Sequence, residues 1–101
     1  MNATQVVKAI KATGESFQAL RTINTRWIFV DDGACSYYLD SRSVGQDAIG
    51  ILASDNAEDR GNAYSSFCAA TTGVHFEDLP ASSRQDARAT LGDRATNTDG
   101  W

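Results

Sequence analysis

The chain has 101 residues, with 42% hydrophobic and 22% charged residues, one Pro and eight Gly. That is the size of one domain, and either half would be too small to bury an independent core. An apolar fraction near the globular average with scarce Pro excludes disorder throughout, and the longest apolar run, Trp27-Ile28-Phe29-Val30, is too short for a transmembrane helix. The net charge of −4 is unevenly spread. Residues 1–30 carry Lys8, Lys11, Arg21 and Arg26 against Glu15, a balance of +3, whereas residues 31–101 carry five Arg against twelve acids, a balance of −7. An acidic chain is a poor nonspecific nucleic-acid ligand, although the N-terminal third can present a local basic face. Met1 to Gln5 leads into a Lys-punctuated pattern with no secretory apolar block.

In chain order, residues 2–13 predict a helix: Asn2 and Gln5 form a capping-box pair and Val6, Val7 and Ile10 share a face. Thr13-Gly14 stops it. Glu15–Asn24 predicts a second helix, with Phe17 and Leu20 facing inward. Arg26–Val30, the turn Asp31-Asp32-Gly33-Ala34 and Cys35–Leu39 predict a β-hairpin over 26–39. Trp27 and Phe29 lie on one face of that ribbon and Ile28 and Val30 on the other. Either helices cover both faces, or one face is left as a patch for a partner.

Ser43–Ser54 predicts a third helix with Val44, Ala48, Ile51 and Leu52 on one stripe, and Asn56 caps a fourth over 57–72 with Tyr64, Phe67 and Cys68 inward. Thr72-Gly73-Val74 reads as its C-terminal cap. Val74, Phe76 and Leu79 tuck a loop onto the core. Pro80 or Ser82 starts a fifth, partly exposed helix through Leu91, and Gly92 ends it. The expected fold is α+β: four to five short helices packed around one antiparallel β-hairpin (26–39). It forms a single domain over 1–92 with a mobile tail at 93–101. The expected core holds Val6, Ile10, Phe17, Leu20, Ile28, Val30, Leu39, Ile51, Leu52, Tyr64 and Phe67.

The chemistry-bearing residues are few. His75 is the single histidine, so neither a zinc site nor a catalytic base beside a nucleophile is indicated. Cys35 and Cys68 lack metal-ligand spacing and read as buried free thiols in a reducing compartment. Asp55, Glu58 and Asp59 flank a helix start, where capping explains them. No calcium loop or phosphate-binding Gly loop is present. No enzyme activity, metal or cofactor is expected.

Two arrangements carry a resemblance. Helix, Gly turn, helix and hairpin over residues 2–39 resemble the second half of a winged helix-turn-helix domain, which implies a DNA-binding regulator with Glu15–Asn24 as recognition helix. The pattern Ala57-x-x-Arg60-x-x-Ala63-Tyr64-x-x-Phe67-Cys68-Ala69-Ala70, Gly73, Phe76-x-Asp78-Leu79-Pro80, Arg84-x-x-Ala87-x-Ala89-x-Leu91 resembles small accessory proteins of bacteriophages. That resemblance implies a phage protein working in the cytoplasm of a bacterial host. The first expectation is therefore a stoichiometric protein-binding inhibitor of the anti-CRISPR or anti-restriction type. It would block a nucleic-acid-binding surface on a host protein or ribonucleoprotein complex with an acidic face, without membrane or direct nucleic-acid contact, as monomer or dimer. Its contact residues would be Asp31, Asp32, Asp55, Glu58 and Asp59, with Trp27 or Tyr38 as apolar anchor. The DNA-binding regulator ranks second and a virion or assembly component third.

Overall fold

In the computed structural model, which describes residues 2–12, 18–31, 33, 36–44 and 73–96, the N-terminal helix α1 spans Ala3–Lys11. Asn2 Oδ1 accepts from Gln5 N (2.9 Å) and Gln5 Oε1 accepts from Asn2 N (3.0 Å), the reciprocal capping box expected from the sequence. Ala3, Val6 and Ile10 recur at helical spacing and form the buried stripe.

Four strands follow: β1 (Ala19–Thr22), β2 (Trp27–Asp31), β3 (Ser36–Asp40) and β4 (Gly73–Val74). They form an antiparallel sheet in the order β1-β2-β3-β4. A 3-10 turn at Ser41–Ser43 follows β3, and another at Phe76–Asp78 follows β4. A second helix, α2 (Ala81–Leu91), begins after Pro80, whose carbonyl accepts Arg84 N (2.9 Å). It ends at Gly92, and a last 3-10 segment runs over Gly92–Thr96.

The period-2 alternation of the two central strands sorts the core into two layers. Ile28 and Val30 pair with Leu39 and Tyr37 and pack under Ala3, Val6, Ile10 and Val44. On the opposite face Trp27, Phe29 and Tyr38 pack against Ile23, Phe76, Leu79, Ala87 and Ala95. α2 is only weakly amphipathic. It covers this second face because its buried positions, Ser83 and Ala87, are small and let its backbone approach the aromatic layer.

The architecture corrects the sequence expectation of four to five helices around one hairpin. The hairpin is the centre of a four-stranded sheet, and the described residues hold two α-helices besides the 3-10 segments. Ala19–Thr22, read as part of a helix over Glu15–Asn24, is a strand, and Ile23–Arg26 is the turn that joins it to β2. The winged helix-turn-helix resemblance falls with that recognition helix. Gly73-Val74, read as a helix cap, is an edge strand paired with Leu39 and Tyr38. Part of the tail expected to be mobile is packed: Ala95 is buried, and Tyr38 Oη donates to its carbonyl (2.7 Å).

Other expectations hold residue by residue. α2 has the predicted end at Gly92, and Phe76 and Leu79 are buried. Val6, Ile10, Ile28, Val30 and Leu39 are core residues, and Leu20 is partly buried against them. The expected helices over 57–72 and, beyond Val44, over 43–54 lie outside the described residues. So do Phe17, Ile51, Leu52, Tyr64, Phe67, Cys35 and Cys68.

Candidate interaction surface

The structure gives each described residue of the expected acidic surface a job in holding the fold. Asp31 closes β2 and is 9% exposed. Its Oδ1 accepts from Gly33 N (3.0 Å) and its Oδ2 is ion-paired with Arg94. Gly33, at φ 94°, takes the left-handed backbone that this turn needs.

The two proposed anchors are core residues. Trp27 is 5% exposed and Tyr38 is 0% exposed, so neither offers a face to a partner. Tyr38 lies between Phe29 (centroids 5.3 Å apart) and Phe76 (6.4 Å), and burial pushes its hydroxyl up to about 12. Asp32, Asp55, Glu58 and Asp59 lie outside the described residues. The three described contact residues, Trp27, Asp31 and Tyr38, are therefore buried and form no exposed surface.

Four cations, Arg94 among them, are tied into the α2 side of the molecule. Arg26 holds Asp40 through two hydrogen bonds (Nε–Oδ1 3.0 Å, Nη2–Oδ2 2.8 Å) and lies over the Trp27 ring. That bidentate contact, together with a hydrogen bond from Arg42 N, keeps the Asp40 carboxyl below its usual range against the opposing effect of burial. Arg94 covers Phe29, Arg88 covers Phe76, and Arg84 donates to the Glu77 carbonyl (3.2 Å). Asn24 joins the β1–β2 turn to α2: its Oδ1 accepts from the Arg26 and Trp27 amides, and its Nδ2 donates to Ser83 and Asp86.

The α1 side is different. Thr4, Val7 and Lys11 form a helical stripe next to the buried one, and Lys8 lies beside Lys11 at a spacing of three. This stripe and Leu20, Arg21 and Thr22 of β1 line a groove of about 300 Å³. Lys8, Lys11, Arg21 and Thr22 are exposed. Among the described residues no acid pairs with Lys8, Lys11 or Arg21, while the two ion pairs engage Arg26 and Arg94.

Among the described residues β1 is also an edge of the sheet. Ile23 N donates to Trp27 O (3.0 Å), which makes Ile23 and Trp27 a hydrogen-bonded pair. In an antiparallel ladder such pairs alternate, so the backbone groups of Leu20 and Thr22 point away from β2. The sequence signal for this site was the +3 balance of residues 1–30. Helical periodicity misassigned the segment that carries Arg21, so the groove could not be read from it.

Chemically, the groove offers backbone donors and acceptors, a small apolar floor of Val7 and Leu20, and cations at its rim. No group of three His, Cys, Asp or Glu able to hold a metal occurs among the described residues. No helix among them is long and apolar enough to cross a membrane. In comparisons with known proteins, no family model, no curated protein and no solved structure matches the chain.

Proposed function

We propose that the chain is a protein-binding module that acts by occupancy, with β1 and the Thr4–Lys11 stripe of α1 as its contact edge. The observation that carries this reading is the combination of a sheet edge with three exposed cations beside it that pair with no acid among the described residues. Both faces of the central strands are covered, one by α1 and the other by α2 and the Gly92–Thr96 segment. The edge is then where the sheet has hydrogen-bonding capacity left, and unpaired edges are templates for another chain.

The phage-type inhibitor implied by residues 57–91 is a setting in which occupancy alone suffices, and we keep it as the proposed role. Among the described residues the exposed charged side chains at this edge, Lys8, Lys11 and Arg21, are cations, opposite in sign to the acidic contact expected from the sequence.

The test is comparative affinity capture from bacterial lysate with the wild-type chain, a Lys11→Glu/Arg21→Glu variant and Arg42→Glu as an exposed cation outside the groove. The expected result is one stoichiometric protein held by the wild type and by Arg42→Glu and lost from the edge variant, with the far-ultraviolet circular dichroism of all three alike. A partner that the edge variant retains at full yield overturns the proposal.

A further inference from the structure

Resting on that reading, we infer that the partner segment is an extended, acidic stretch of polypeptide that adds to β1 as a fifth strand. The outward N–H and C=O groups of Leu20 and Thr22 need acceptors and donors in alternation, which a peptide backbone supplies. A DNA backbone supplies phosphate acceptors alone and would leave those carbonyls unmet.

Side chains of an added strand alternate between the two sheet faces. Those on the α1 face enter the groove, where Val7 and Leu20 give an apolar floor and Lys11, with Lys8 beside it, meets a carboxylate. Those on the other face lie alongside Arg21, which register places opposite Phe29. Acids therefore find a cation on either face. A basic segment would meet Lys8, Lys11 and Arg21 as like charges, which disfavours that partner. A second copy of this chain pairing β1 to β1 would bring two Arg21 side chains into one short ladder, so self-association is disfavoured for the same reason.

The experiment uses the full chain, labelled with nitrogen-15, titrated with capped peptides of about nine residues, enough to outrun a typical strand of about five. One alternates Glu and Val, a second alternates Lys and Val, and a third is the Glu–Val peptide with every backbone amide N-methylated. Oligothymidylate of similar length is the fourth probe. The Glu–Val peptide is expected to shift the amide resonances of Leu20, Arg21 and Thr22. Its binding should weaken at higher salt and fall about tenfold in Lys11→Glu/Arg21→Glu, with Arg21→Ala as the milder variant if the double one loses resonance dispersion. N-methylation should abolish it.

Equal binding of the Lys–Val peptide at the same resonances overturns the acidic assignment and leaves the contact edge standing. Oligothymidylate shifting those resonances more strongly than the Glu–Val peptide, or full binding by the N-methylated peptide, overturns strand addition. If none of the probes moves the β1 resonances, the acidic segment and the contact edge fail together.

Discussion

Replacing Tyr38 by Phe deletes one oxygen from the middle of the second core layer and leaves the ring between Phe29 and Phe76. The lost contact is the 2.7 Å hydrogen bond to the Ala95 carbonyl, which ties the Gly92–Thr96 segment to β3. A neutral hydrogen bond contributes about 0.5–1.5 kcal/mol, and a buried carbonyl left without a donor costs about 1–3 kcal/mol. The expected destabilisation at neutral pH is therefore about 1–3 kcal/mol. At about 4–8 °C per kcal/mol for a domain of this size, the melting temperature should fall by several degrees.

The same hydroxyl gives the variant a second signature. Burial holds it up at about 12 in the folded protein, against about 10 in an unfolded chain. Between those values the unfolded state has released the proton and the native state still binds it, so wild-type stability falls as pH rises, at a slope approaching about 1.4 kcal/mol per pH unit. Below about pH 10 the contribution is fully present. Tyr38→Phe lacks the group, and the remaining tyrosines are common to both proteins. Paired urea titrations from about pH 8 to about pH 11.5 should show the stability gap constant at first and then closing. A gap unchanged across that range refutes the buried neutral hydroxyl, and the absence of any gap at neutral pH refutes the docking of residues 92–96.

Gly92→Ala should cost about 1–3 kcal/mol, because φ 63°, ψ −134° is backbone that side-chain-bearing residues avoid. An added Cβ would meet no atom within 4 Å, so the loss, measured by thermal melting, reports backbone conformation alone. For Asp40→Asn the expectation concerns acid. Arg26 depresses the Asp40 pKa, so the stabilisation is present above the unfolded carboxylate value of about 3.9 and is lost as pH falls through the folded one. The variant should be the less stable protein at neutral pH and converge with the wild type in acid; denaturant midpoints that stay apart would contradict the ion pair.

The features legible in the sequence were those decided by neighbours in the chain. The capping box needs only Asn2 and Gln5, the end of α2 needs only Gly92, and the run Trp27–Val30 declares a strand by composition. β1 was missed because Phe17, Leu20 and Ile23 recur every three residues and imitate a helix face, while the decision belongs to pairing with β2. β4 was missed for a related reason: two residues carry no period, and only Tyr38 and Leu39, far away in sequence, make them a strand. The exposure of Trp27 and Tyr38 was misjudged because their cover comes from α2 and Gly92–Thr96, whose small residues, Ser83, Ala87 and Ala95, leave little hydrophobic signal. Of the candidate site, charge alone was visible, as a basic balance without a strand to attach it to.

Among the described residues the two edges of the sheet are guarded differently. β4 protects itself by length, since two residues offer little ladder to another chain. β1 is twice as long, and its guard is charge, Arg21 on the strand with Lys8 and Lys11 beside it. A charged guard is conditional in a way that a short strand is not: it repels cationic strands and its own copy, and an acidic strand removes the repulsion by neutralising it. On the α2 side the arginines are spent on Asp31, Asp40, the Glu77 carbonyl and the aromatic rings. Reversing their charge should disturb folding, whereas reversing Lys11 or Arg21 should change what binds and leave the fold intact.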